Sequence, residues 1–227
     1  AVNAMWLWSG KTSIPYQGMK EGREIQLTNE DYDIIKNLKG IEHTSGRYFL
    51  SGNTFSYGNE YGTYTAITCH PDLKDVESIE IVEGRFINHV DINQDRKSVV
   101  LGKDIYDALF KEKNAIGEYV RVNNIPFKVV GICKEGGGTR HRNAYIPVTT
   151  AQKVFNGSNR LHNFALTIDA KTIEESQAIE KSVREALARK HKFDSTDESA
   201  LGSYNKLEDV LQTMKIFQAI KIFIWII

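Results

Sequence analysis

Phe164-Ala165-Leu166-Thr167-Ile168-Asp169-Ala170-Lys171-Thr172-Ile173-Glu174-Glu175 spells out a strand, a turn and the opening of a helix. Phe164, Leu166 and Ile168 alternate with their neighbours, the period-two pattern of a strand with one buried face. Thr172 followed by Glu175 is a capping box, in which each side chain satisfies a backbone amide of the other. Ile179, Val183, Ala186 and Leu187 then recur at helical spacing to about Lys190, and Phe193 opens a less regular stretch. An earlier segment has the same grammar. Glu24-Ile25-Gln26-Leu27 alternates like a strand, Thr28 suits a helix N-cap, and Glu30 and Asp31 place negative charge on the first turn. Tyr32, Ile34, Ile35 and Leu38 share one helical face, Gly40 is placed to end the helix, and Ile41 to Leu50 return as extended chain. Two strand–helix–strand units of this kind can pair as a split βαβ, ferredoxin-like sheet with its helices on one face, so the expected fold class is α+β.

Between the two units the texture changes to short strands and turns. Gly52, Gly58 and Gly62 mark a turn-rich segment, and Tyr64 to Cys69 reads as a strand ended by Pro71. Ile79 and Ile81 alternate around Glu80. Ser98-Val99-Val100-Leu101-Gly102 is a buried-type strand feeding a short helix, Lys103 to Phe110. Tyr119 to Val122 and Ile125 to Val130 flank Asn123-Asn124, a hairpin signal because asparagine tolerates the left-handed backbone of a tight turn. Thr149 is placed to cap a short helix ending at Gly157. These features predict a β-rich domain inserted at residues 75–158, with the halves of its host at 22–74 and 159–213.

The two ends point towards a membrane. A long final helix carries Leu207, Val210, Leu211, Met214 and Phe217 on one face and then turns apolar all round. From Ile216 to Ile227 the polar side chains are Gln218 and Lys221. A span needs about 20 mostly apolar residues, so residues 214–227 are expected to be the truncated start of a membrane helix; the alternative is a C-terminal core helix. Ala1 to Trp8 is apolar with two tryptophans, a residue type that collects at membrane–water boundaries. Residues 1–21 are accordingly expected to follow a first span. Leu207, Val210, Leu211 and Met214 are expected to pack on the domain, with Glu208, Asp209 and Gln212 in water, and no Gly or Pro interrupts the helix after Lys206.

Composition narrows the function. With 41% apolar and 26% charged residues the chain can build a core and stay soluble, and 29 Lys plus Arg against 29 Asp plus Glu leave no net field for nucleic acid. The two cysteines, Cys69 and Cys133, have no metal-type spacing and are read as buried free thiols. The six histidines sit singly, without the spacing that offers a metal two ligands. Neither a nucleophile elbow nor a catalytic carboxylate pair is recognisable, so no enzyme, cofactor or metal is expected. Gly102-Lys103 resembles the tail of a phosphate loop, but the upstream glycine is missing and Asp104 follows, which favours a plain strand–turn–helix. Gly136-Gly137-Gly138 with Arg140, His141 and Arg142 is either an anion cradle or a solvated loop.

Several segments carry a family resemblance. Gly22 to Thr28 with Asp31 and Ile41-Glu42-His43 opens the series. Glu83-Gly84-Arg85-Phe86, Asp91, Ser98 to Gly102, Leu109-Phe110, Ile116-Gly117, Val120 to Asn123, Phe127 to Gly131 and Tyr145 to Ala151 follow in order. The chain resembles the periplasmic core domain of MacB/FtsX-type ABC transporter permeases. The resemblance implies that the strand–helix–strand units form a porter-like subdomain and that the insert is Sabre-like. It implies an extracytoplasmic domain between the first and second spans of an inner-membrane permease, working as a dimer with a second permease copy or paralogue. An ABC ATPase subunit or domain would lie in the cytoplasm, with an adaptor protein outside in many members. The function implied is coupling of ATP hydrolysis to periplasmic movement for export or extraction. The alternative is a membrane-tethered regulatory module, FtsX-like, that controls a cell-wall hydrolase or senses a ligand without transport.

Overall fold

The computed structural model describes residues 1–111, 113–135 and 141–226, without the side chains of residue 219 and residues 222–226. It opens with a strand that the sequence pattern conceals, β1 (Ala4–Ser9). Next come β2 (Leu27–Thr28), α1 (Asn29–Ile35), β3 (Ile41–Tyr57) and β4 (Glu60–Cys69). The middle of the chain holds α2 (Leu73–Val76), β5 (Glu80–Gly84), α3 (His89–Asn93), β6 (Ser98–Gly102), α4 (Lys103–Phe110), β7 (Tyr119–Val122), β8 (Ile125–Lys134), β9 (Asn143–Pro147) and α5 (Val148–Val154). β10 (Arg160–Leu161), β11 (Asn163–Ile168), α6 (Ile173–His191), β12 (Leu201–Asn205) and α7 (Lys206–Ile226) follow.

β12, β1, β11 and β3 lie side by side in that order, each pair antiparallel. In chain order these are strands four, one, three and two of a βαββαβ unit, with α1 and α6 as its crossovers. The α+β, ferredoxin-like class is therefore observed, but its first strand is Ala4–Ser9. Glu24 to Leu27 contributes only to a two-stranded ribbon of β2 with β10. Met5 and Leu7 are fully buried in β1, packed with Leu166, Val183 and Leu187. These apolar side chains of the N-terminal segment thus form part of the core. The tryptophans occupy the opposite face, where Trp6 stacks on Tyr204 at 5.8 Å. They mask the alternation that would otherwise mark a strand.

The 17-residue β3 serves two sheets. Ile41 to Arg47 pairs with β11, and Tyr48 to Tyr57 pairs with β4. The supposed turn-rich segment is this long hairpin. Gly52 lies at a register shift in β3, Gly58 at the two-residue turn, and Gly62 inside β4. From β4 the pairing passes to β9, β6, β8 and β7, and β7 returns to β3 through Phe55↔Val122. A six-stranded barrel therefore closes, with β5 added alongside β8, but not from residues 75–158 alone: the far half of β3 and all of β4, assigned by pattern to the host half 22–74, supply two of its strands. Closure leaves those strands without free edges. Phe55, Leu101, Val120, Phe127 and Ile146 share the core that fills it, together with Ile105 and Phe110 of α4. Asn123 and Asn124 take positive φ at the predicted hairpin turn. Pro147, not Thr149, occupies the cap of α5; the Thr149 hydroxyl instead donates to the Ile92 carbonyl at 2.9 Å, tying α5 to α3.

A third core joins barrel and sheet. Val100, Cys133 and Tyr145 point outward from the barrel and meet Ala4 and Ala165 from the open face of the four-stranded sheet. β6 is thus buried on both sides, which is why Ser98 to Gly102 reads as a continuous apolar run. Both cysteines are buried free thiols here. Burial holds the Cys69 thiol well above its ordinary value and pushes Cys133 up to about 12, so both stay protonated.

Three buried carboxylates organise the surrounding loops. Asp31, fully buried, accepts from the Thr28 amide at 2.7 Å and pairs with Lys190 at 2.8 Å and His191 at 2.9 Å. The N-terminus of α1 is thereby held to the basic last turn of α6, each favoured by its helix dipole. Burial works to raise the Asp31 carboxyl, yet hydrogen bonds from His191 and then Lys190 hold it below the usual value. Asp91 receives Arg85 through both guanidinium nitrogens, at 2.5 and 3.0 Å, plus the Asn88 amide and the Ser98 hydroxyl. Burial opposes ionisation there too and is outweighed, with the Arg85 hydrogen bond as the main lowering influence. Three elements of the family pattern, Arg85, Asp91 and Ser98, therefore form one network joining β5, α3 and β6. Asp197 accepts from the Ser13 amide and hydroxyl and from Ile14, fastening the loop after β1.

His70 is buried, stacks on Tyr32 with 3.6 Å between centroids, and presents Nδ1 to the Gly46 amide at 3.1 Å. Burial lowers its pKa from 6.5 to about 4. The folded state then binds fewer protons than the unfolded chain between those values, so stability rises with pH across that window. Lowering pH from neutrality to 4 should cost about 3 kcal/mol through this residue. His70→Asn, which keeps an acceptor but cannot titrate there, should flatten the loss in urea denaturation measured across that range. An unchanged pH profile in the variant would contradict the assignment.

Candidate functional site: the base of the terminal helix

The long final helix expected from the sequence is α7, unbroken from Lys206 to Ile226. The structure divides its proposed face. Leu207 is buried at 8% exposure and Leu211 packs against the same core, while Val210 is half-buried. Met214 and Phe217, at 57% and 66% exposure, do not reach the domain. The rise of 1.5 Å per residue carries each turn after Leu211 further from the core, so nothing remains for them to pack upon. Asp209 and Gln212 are exposed as expected, but Glu208 is drawn into a polar clamp.

Asn205 is the centre of that clamp. Its amide group donates to Ser176 Oγ at 2.6 Å and to Glu180 at 3.2 Å, while its oxygen accepts from the Glu208 amide at 3.3 Å. Glu180 also accepts from the Ser203 hydroxyl. Arg184 donates to the Leu201 carbonyl at 2.7 Å, and Gln177 bonds Glu208 at 2.8 Å. Side chains on one face of α6 thus hold both β12 and the first turn of α7. Asn205 followed by Glu208 has capping-box form, a signal in the sequence that marks this helix start. The α6 partners carry no such local signal.

Beyond Leu211 the described side chains of α7 stand in solvent, with Ile216 and Ile220 at 61% and 49% exposure. Among the described residues, no helix is long and apolar enough to cross a membrane.

Of the glycine-rich loop and its basic residues, the structure describes His141 and Arg142. Gly136 to Gly138 and Arg140 lie outside the described residues. His141 accepts from the Glu135 amide through Nδ1 at 2.9 Å, and its backbone exchanges bonds with Asp104 at 3.2 Å each way. Arg142 lies over the Tyr64 ring at 5.8 Å. The start of α4 is therefore closed by the His141 carbonyl, as a plain strand–turn–helix requires. A Cβ on Gly102 would come within 2.2 Å of that oxygen. No group of three or more His, Cys, Asp or Glu among the described residues is placed to hold a metal.

Comparison with known proteins sets this geometry in a family. The family model described as MacB-like periplasmic core domain matches residues 4–186. A macrolide export ATP-binding/permease protein MacB of Aggregatibacter actinomycetemcomitans is 26% identical over 199 residues, covering 84% of this chain and 29% of the relative. The MacB of Rhodospirillum rubrum is 29% identical over 173 residues, covering 73% and 26%. The chain spans between about a quarter and a third of the length of these curated relatives. The solved periplasmic region of MacB from Actinobacillus actinomycetemcomitans superposes with a TM-score of 0.75 at 24% identity, covering 94% of this chain and 92% of that one. The extracellular domain of YknZ, a noncanonic ABC-type transporter from Gram-positive bacteria, gives 0.74 at 19% identity, covering 89% and 100%. Through its matched sequence and this shared architecture, the chain belongs to the family of MacB-like periplasmic core domains.

Proposed function

We propose that this chain is the extracytoplasmic domain of an inner-membrane ABC permease of the MacB/FtsX type, and that it turns ATP-driven motion into movement outside the membrane for export or extraction. The observation that carries this reading is α7, clamped to α6 at its root and standing free, with exposed Met214, Ile216, Phe217 and Ile220, beyond Leu211. A helix held rigidly at one end and apolar at the other suits a lever entering a bilayer. In this reading residues 214–227 begin a membrane span. The four-stranded sheet with α1 and α6 is the porter-like unit, and the closed barrel is the Sabre-like unit. The ATPase, a second permease copy and an adaptor are partners of the whole protein.

The test uses the full-length permease reconstituted with its ATPase. Asn205→Ala removes the hub that joins β12, α6 and α7. Substrate transport per ATP hydrolysed should fall about tenfold, corresponding to about 1.4 kcal/mol of lost coupling. Transport at the wild-type ratio would count against α7 as the lever. Activation of a bound cell-wall hydrolase by the complex, with no substrate moved, would favour the regulatory module instead.

A further inference from the structure

The chain carries equal numbers of cationic and anionic side chains, yet one cleft on its barrel is one-sided. It encloses about 790 Å³ between the Gly84 turn, the start of β6 and the Gly117 turn. Arg85, Arg96, Lys97 and Lys128 line it, and no carboxylate does. Arg85 is committed to Asp91 behind the wall. Among the described residues, Arg96, Lys97 and Lys128 have no carboxylate within 4.0 Å. Glu118 flanks the cleft in sequence, but its carboxylate accepts from the Tyr57 hydroxyl at 3.2 Å. The cleft also has an apolar wall. Tyr119, 59% exposed, lies opposite Lys128 in the β7–β8 register, and Ile116 and Val130 continue the surface.

We infer that this cleft binds an anionic amphiphile, with its phosphate held by Arg96, Lys97 and Lys128 and its apolar part laid along Tyr119 and Ile116. Uncompensated cations draw an anion, and charge-assisted hydrogen bonds from several side chains fix a phosphate. The exposed aromatic ring beside them would be spent on water unless the ligand brings apolar surface to it. The volume fits a small molecule or a lipid headgroup with part of its chain. A nucleic acid is disfavoured, because the cations converge on one cleft and form no stripe along the surface. The inference stands apart from the transport reading, since it requires neither the ATPase nor α7.

The test titrates the chain with monomeric dihexanoylphosphatidylglycerol, with the zwitterionic dihexanoylphosphatidylcholine and with inorganic phosphate. The expected result is saturable binding of the phosphatidylglycerol at least tenfold tighter than of either control, weakening as salt rises. Amide resonances of Gly84, Gly117 and Tyr119 should shift with it. Lys97→Glu/Lys128→Glu should abolish the preference, while both positions are exposed and the thermal midpoint should hold. Tyr119→Ala should weaken the lipid several-fold and leave phosphate unchanged. Equal affinity for the zwitterionic lipid, equal affinity for inorganic phosphate, or full binding by the folded double variant would each overturn the inference.

Discussion

Asp31→Ala lowers the stability of this domain by about 3–5 kcal/mol, the range for breaking a buried ion pair from one side. The carboxylate is fully buried, and its removal takes the shared buried acceptor from Lys190 and His191, at 23% and 15% side-chain exposure, leaving Lys190 only the exposed Glu30 carboxylate at 3.1 Å. It also deletes the acceptor for the Thr28 amide at the start of α1. Urea denaturation at neutral pH measures the loss. Asp31→Asn keeps an acceptor without the charge and should recover part of it. The folded-state pKa is depressed, so the stabilisation is present above the ordinary carboxylate value near 3.8 and disappears as pH falls through the folded value. Wild type and Asp31→Ala should therefore converge in strong acid. A loss under about 1 kcal/mol at neutral pH would mean the cluster is dispensable, as exposed pairs are. This window lies below that of His70, so the two titrations separate.

Gln212→Pro has its largest effect on function. Helical geometry pairs the residue 212 amide with the 208 carbonyl, and proline removes that bond and clashes with the preceding turn, at a cost of about 3 kcal/mol. Leu207 and Leu211 anchor the helix just before this point, and the next described side chains are exposed. The domain thus has little packing to lose, and its thermal midpoint should shift by no more than a few degrees. In the full-length protein the kink falls between the clamp and the membrane-directed apolar segment. Transport should drop tenfold or more while ATP hydrolysis continues. Normal transport by a folded variant would show that α7 is not the lever.

The second strand–helix unit was legible almost residue by residue. Phe164 to Ile168 became β11, and the Thr172–Glu175 box starts α6. Local patterns of this kind need no partner to be recognised. The base of α7 was half legible. Leu207 and Leu211 follow from periodicity, whereas Ser176, Glu180 and Arg184 acquire their role only when α6 lies beside β12.

Periodicity, caps and turn residues by themselves determined the α+β class, the second strand–helix unit, the helix of the first, the Asn123-Asn124 hairpin and the continuity of α7. These are short-range matters of backbone sterics and side-chain spacing, settled within a few residues of each position. The tertiary structure alone decided that Ala4–Ser9 is a central strand, that β3 feeds two sheets, and that strands of the insert close a barrel with β3 and β4 through Phe55 and Val122. It also decided which charges are buried together. Such pairings join residues far apart in sequence, and their energy comes from burial and hydrogen bonds that exist only once distant segments meet. No pattern within a single segment records them.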